Sequence, residues 1–231
     1  MIQQYKTEIE KLFNEWETRE HHKGKIFVRD GVINPEVFYS SDFRPLFLLK
    51  EAYGKDESNN DIAKEHNINF GEDCKQKNRT WPNISRWIYA MLNTTKEKPA
   101  EYTELDCFTD KKNEYLQKMA VVNIKKSNGT SLTSSKSLNY YLEEDKDLLA
   151  LQISLIKPTI IVCGYTLSRL KVIFPELKQH NNELKKNHFA RIKINGDDVL
   201  VLDCYHPSNW IHSKKQLFDM LVEVYQKALH G

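Results

Sequence analysis

Hydrophobic positions along the chain alternate between a helical period and short unbroken runs. In residues 1–20, Ile9, Leu12, Phe13 and Trp16 recur at helical spacing and predict an amphipathic helix. A loop with Gly24 and Gly31 follows. Pro45-Leu46-Phe47-Leu48-Leu49 reads as a strand, begun at a proline because a strand's first residue can do without a ladder donor. Trp81-Pro82-Asn83-Ile84-Ser85 opens a second helix, with Ile84, Trp87, Ile88 and Met91 on one face and an end near Asn93. Residues 111–118 look helical and lead into the apolar run Met119-Ala120-Val121-Val122. Residues 138–156 give the clearest helix, with an apolar stripe of Leu138, Tyr141, Leu142, Leu148, Leu149, Leu151, Gln152 and Leu155, stopped by Pro158. Thr159–Cys163 is a third strand, and Thr166–Ile173 a further helix. Residues 180–190 are basic and irregular. Arg191–Ile194 and Val199–Cys204 flank Asn195-Gly196-Asp197-Asp198, a strong hairpin signal. The last helix covers about 214–229, with Leu217, Met220, Leu221, Val224 and Tyr225 inward.

Strands alternating with helices predict an α/β fold: a three-layer α/β/α sandwich around a central, mainly parallel sheet of about four strands. No repeat or linker divides the chain, so a single domain is expected over residues 1–231, with 1–40 as a helical and loop extension and 44–229 as the core. Two polar stretches interrupt the pattern. Residues 54–80 read as a long loop with a short helix at Asp61–His66, and residues 127–137 as a Ser/Thr/Gly-rich loop. Long loops inside a domain are commonly functional or disordered.

Composition changes this picture little. The 40% hydrophobic and 29% charged content is that of an ordinary globular protein. No apolar stretch approaches the roughly 20 residues of a membrane span. The opening Met-Ile-Gln-Gln-Tyr-Lys lacks the apolar region of a signal peptide, so a cytoplasmic protein is expected. Cys74, Cys107, Cys163 and Cys204 are scattered with no Cys-x-x-Cys pair, which argues against a zinc or iron–sulfur site. We therefore expect no metal and no cofactor. Net charge of +2 neither demands nor excludes nucleic acid.

The ends of the apolar runs carry the candidate chemistry. The first runs into Lys50-Glu51, the second into Asn123, the third into Gly164, and the fourth through Asp203-Cys204-Tyr205 into His206-Pro207-Ser208. Open α/β sheets bind ligands beyond the carboxyl ends of their strands. A carboxylate, an amide and an imidazole delivered there look like parts of one site.

In this order and strand context, the chain resembles the uracil-DNA glycosylase superfamily. That family's first motif follows a strand and often reads Gly-Glu-Ala-Pro-Gly; here Lys50-Glu51-Ala52-Tyr53-Gly54 stands in its place, with Lys50 for the first glycine and Tyr53 for the proline. Its second motif, a strand ending in an asparagine segment, is matched by Ala120–Lys126. A helix, a proline and a strand ending in glycine are matched by Ile153–Gly164, and the last motif by His206-Pro207-Ser208. The resemblance spans about residues 44–210, without the cysteines of the iron–sulfur branches.

What the resemblance implies is a DNA glycosylase that hydrolyses the N-glycosidic bond of a flipped-out base, uracil by default. Glu51 would stabilise an oxocarbenium-like sugar and position water, although a carboxylate there also suits a helix N-terminus. His206 would donate to a carbonyl of the leaving base, or serve as a structural histidine. Asn123 would read the base's pairing edge, or cap the next segment. Trp81, Tyr53 and Phe70 compete as the ring that stacks on the base, against core packing. Lys125, Lys126, Ser208 and Asn209 are candidate DNA contacts, and Trp210 a wedge into the vacated stack or a buried ring. No lysine is clearly placed as a Schiff-base nucleophile, so a monofunctional, monomeric enzyme is expected, with DNA as partner and no membrane. Lys50 and Tyr53 beside Glu51 keep a bulky modified cytosine of phage DNA open as substrate, which would make this a defence enzyme. A non-catalytic nucleic-acid-binding module and a small-nucleoside hydrolase are the other readings.

Overall fold

A computed structural model describes residues 1–51, 79–103, 114–128 and 134–231. Tyr53, Phe70, the expected helix at 61–66, Cys74 and Cys107 lie outside them.

The fold is α/β, built on a mixed six-stranded sheet. Its strands are β1 (Gly31–Val32), β2 (Pro45–Glu51), β3 (Ala120–Lys125), β4 (Ile160–Gly164), β5 (Phe189–Ile194) and β6 (Asp197–Cys204), in the order β1-β3-β2-β4-β6-β5. The pairs β3/β2, β2/β4 and β4/β6 are parallel, and the edge pairs β1/β3 and β5/β6 antiparallel. The expected count of about four is therefore corrected to six. β5 is the first arm of the expected hairpin, and β1 is a two-residue edge too short to show a period.

Register explains how one sheet serves two cores. Ala120, Leu46, Ile161 and Val201 are successive cross-strand neighbours, and all belong to one apolar cluster. Val121, Phe47, Val162 and Leu202 form the next row, and all belong to the other. Alternate residues of a strand face opposite sides, so continuous apolar runs mark strands covered twice. The first cluster is covered by α1 (Ile2–Trp16), α4 (Ser135–Ile156) and α5 (Leu167–Ile173). The second is covered by α3 (Thr80–Asn93) and α7 (Lys214–His230). Between them come the short α2 (Pro35–Phe38) and α6 (Asn181–Asn187).

Local signals account for the boundaries. The Ser134 side chain accepts from the Ser137 N–H and starts α4 three residues earlier than its apolar stripe does. Lys157 turns left-handed at φ +52° and ends that helix before Pro158. Ser213 and Gln216 form a reciprocal capping box on α7. Asn195 and Gly196, at φ +53° and +90°, make the two-residue turn between β5 and β6. Two expectations are corrected. The basic segment near 180–190 holds a 3-10 turn (Pro175–His180) and α6, where Leu184 is the one buried residue of α6 and leaves no visible period. Met220 faces outward at 36% exposure, its place inward taken by Phe218 and Val222.

Candidate active site at the carboxyl ends of the parallel strands

The four parallel strands deliver their carboxyl ends to one edge of the sheet. The chain leaves β2 for α3 on one face, whereas β3 and β4 lead into α4 and α5 on the other. Connections diverging to opposite faces open a crevice at the strand ends. Glu51 stands at that point.

Glu51 and Lys125 are register partners on β2 and β3. Lys125 Nζ donates to Glu51 Oε2 at 2.9 Å, with side chains only 12% and 6% exposed. The ammonium also lies 5.2 Å from the Tyr141 ring of α4. Lys25 meets the same ring at 5.0 Å, and its Nζ bonds both Tyr141 Oη and, at 2.8 Å, the His21 carbonyl. Lys50 turns elsewhere, over the ring of Tyr165 at 4.9 Å. Burial lowers its pKa, and the charge of Arg169 adds to the effect.

The His-Pro-Ser segment is braced from three sides. Asn83 Nδ2 on α3 donates to the Pro207 carbonyl at 2.7 Å, and Arg79 donates to the His212 carbonyl at 3.0 Å. At Gly164 a Cβ would sit 2.8 Å from Leu49 Cδ2 and 3.2 Å from Pro207 Cδ, so any side chain there would have to push Leu49 and Pro207 aside for this segment to close on the ends of β2 and β4. The Ser208 N–H donates to His206 Nδ1 at 3.2 Å, and Ser208 Oγ lies 2.7 Å from the same atom. A backbone N–H can only donate, so Nδ1 accepts and the neutral ring carries its proton on Nε2. Burial, aided by the charge of Lys50, pushes the imidazole pKa down to about 4. His206 is therefore a neutral donor at physiological pH.

Beyond it, Asn209 Oδ1 accepts the N–H groups of Ile211 and His212 at 3.0 and 3.1 Å. This turn lifts Trp210 and Ile211 into solvent, at 83% and 71% exposure. Tyr165 and Tyr205 are also exposed, so an apolar rim borders the ends of β4 and β6.

Other candidates are placed differently. Asn123 is 3% exposed; its backbone N–H and its Nδ2 both donate to Asp30 Oδ2, at 2.8 and 3.2 Å. Trp81 is 9% exposed and packs from the first turn of α3 into the core. Lys126 is fully buried with Nζ 2.6 Å from Asp30 Oδ1, so the expectation of a phosphate contact gives way to a structural one. Burial lowers its pKa, and Asp30 offsets part of that.

Sequence reading missed two features. One is Lys125 as the partner of Glu51, which only strand register reveals. The other joins the N-terminal segment to α4. His21 Nε2 and His22 Nε2 meet the two oxygens of buried Asp145 at 2.9 and 3.0 Å, and His22 Nδ1 meets Ser127 Oγ at 2.7 Å. These two histidines and the aspartate are residue types that bind metal, with ligand atoms within 4.8 Å of one another. Yet neutral imidazoles satisfy every one of these bonds, and the Arg19 guanidinium sits 3.3 Å from Asp145 Oδ1, where it opposes a cation. Burial lowers the His22 pKa; at Asp145, bonds from His22 and His21 outweigh burial and keep the carboxyl below its ordinary value. This is a hydrogen-bonded junction.

No protein-family model matches the chain, and no curated protein matches it.

Proposed function

We propose that the protein is a DNA N-glycosylase of the uracil-DNA glycosylase superfamily, its four parallel strands being the family's central sheet. The observation that carries the reading is His206: a strand-end imidazole, kept neutral, with Nδ1 occupied and Nε2–H without a partner among the described residues. Cleaving the glycosidic bond leaves its electron pair on the departing base and positive charge at the sugar C1′. Nε2–H would donate to a carbonyl oxygen of the base as that charge develops, an interaction worth roughly 3 kcal/mol in a preorganised site. Glu51 would face C1′ and take a proton from the attacking water; that role falls to Oε1, since Oε2 accepts from Lys125. Trp210 and Ile211 are exposed where a ring could fill the gap left by an extruded base. Uracil is the first substrate to test.

The test incubates the protein with duplexes carrying single uracil, hypoxanthine or modified cytosine, then cleaves abasic sites with alkali. Strand breaks that vanish in Glu51→Gln and His206→Ala support the reading. DNA binding without abasic sites on any substrate, or turnover of free nucleosides alone, refutes it.

A further inference from the structure

Two lysines stand where β2 and β3 end, and only one of them is neutralised. The Lys125 ammonium is paired with Glu51 at 2.9 Å. Lys50 is half-buried and makes no ion pair among the described residues; its partner is the Tyr165 ring, 4.9 Å away. An aromatic face holds a cation in place without cancelling its charge. A half-buried charge with no counterion is costly, yet it is what a site needs where negative charge develops. The surrounding bonds fix that charge near His206. Thr166 Oγ1 donates to the Leu48 carbonyl at 2.8 Å, which ties the end of β2 to the turn after β4. The Tyr165 N–H donates to the Cys204 carbonyl at 2.8 Å, two residues before His206. Tyr165 itself is held left-handed at φ +60°, an uncommon conformation for a bulky residue and one that clusters at functional sites. The Lys50 charge reaches the imidazole and helps keep it neutral. An imidazole N–H and an uncompensated ammonium therefore flank the same end of the crevice.

We propose that Lys50 is a catalytic residue: its ammonium faces the departing base beside His206 and offsets the negative charge that the base carries away. This rests on the glycosylase reading. When the N1–C1′ bond of a deoxyuridine breaks, its electron pair stays on the base and spreads over N1 and the two carbonyl oxygens. His206 Nε2–H donates to one of those oxygens and keeps its proton, while the Lys50 charge stabilises the anion as a whole. The attacking water gives its oxygen to C1′ and a proton to Glu51. Glu51 releases that proton to solvent, and the free base takes one up, so the net change is hydrolysis. The substrate class this favours is a base that leaves as an anion spread over ring carbonyls.

The experiment measures single-turnover excision by saturating full-length protein on duplexes carrying uracil or 5-fluorouracil. Fluorine withdraws electrons, so the second base needs less help to leave as an anion. Lys50→Met should slow uracil excision by roughly 100-fold and 5-fluorouracil excision by less than about 10-fold, which widens the ratio of the two rates. Lys50→Arg keeps the cation and should restore the wild-type ratio. Both rates come from one preparation, so a partly unfolded variant does not change their ratio. An unchanged ratio in Lys50→Met overturns the assignment, whether both rates fall together or only DNA affinity falls, and leaves Lys50 a structural or phosphate-binding cation. So does a Lys50→Arg variant with the ratio of Lys50→Met. Wild-type protein that excises neither base also overturns it; the glycosylase reading falls only if hypoxanthine and modified cytosine survive as well.

Discussion

Asp30 is the point at which stability and site geometry meet, and replacing its partners tests both. Its carboxylate accepts from Lys126 Nζ at 2.6 Å, from Gln152 Nε2 at 2.8 Å, and from the backbone N–H and Nδ2 of Asn123 at 2.8 and 3.2 Å. Asp30 is 5% exposed and Lys126 is not exposed at all; apart from Asp30, the ammonium meets the Trp16 ring at 5.0 Å. Breaking a buried pair by removing one partner typically costs about 3–5 kcal/mol, whereas replacing both partners can be nearly neutral. Lys126→Met leaves a carboxylate that keeps three neutral donors, so we expect about 3 kcal/mol, the low end. Asp30→Asn leaves a buried ammonium with a neutral amide oxygen, the Trp16 ring and the Asp145 charge in place of its paired carboxylate, so we expect about 4–5 kcal/mol. The double variant keeps an acceptor for the Asn123 N–H and fills the lysine stem with thioether. It should cost about 1–2 kcal/mol, far below the sum of the single costs. Urea unfolding followed by circular dichroism gives all three values, and fluorescence of Trp16 beside Lys126 provides a second probe. Single costs under about 1 kcal/mol, or strictly additive effects, would refute the claim that these charges are buried and coupled.

Three further outcomes follow from the geometry. Gly164→Ala should lower stability by about 1–3 kcal/mol in thermal or urea unfolding, because the new methyl meets Leu49 and Pro207; an unchanged midpoint would mean the His-Pro-Ser segment is not packed there. His206 has a folded pKa of about 4 against an ordinary 6.5, so the unfolded chain takes up the proton first as pH falls. Its contribution is complete above pH 6.5 and is lost on approach to pH 4, about 2–3 kcal/mol between pH 7 and 4.5; His206→Gln should lose that much less over the same range, and parallel curves would contradict the burial of the ring. Trp210→Ala should shift unfolding by no more than about 0.5 kcal/mol, because the ring is 83% exposed, yet weaken duplex binding in a fluorescence titration. Comparable binding by both proteins would remove Trp210 from the DNA interface.

The fold was legible wherever apolar residues were dense enough to show a period. Ile84, Trp87, Ile88 and Met91 are buried along α3 as their spacing requires, and the Asn195-Gly196 turn joins the strands it predicts. Legibility failed where a few long-range contacts create an element. β1 has two residues and is held by pairing with β3 and by the Val32 N–H donating to the Tyr5 hydroxyl. α6 buries one leucine. Nothing local marks either.

The candidate site shows the same division, most sharply in Lys125-Lys126. As a charge run, these two lysines read as a solvated or phosphate-facing pair. A strand sends neighbours to opposite sides, and this alternation continues past the end of β3. Lys126 is drawn inward to Asp30, where desolvating the ammonium is offset by an ion pair, while Lys125 emerges beside Glu51. Their chemistries diverge because their partners come from different strands: Asp30 lies next to β1 and Glu51 ends β2. Composition cannot assign those partners; only the register Glu51↔Lys125 does. A shift of β3 by one residue would exchange the roles of the two lysines and expose the apolar row of Val121 to the wrong core. The burial that fixes the sheet therefore also decides which amine stands at the carboxylate.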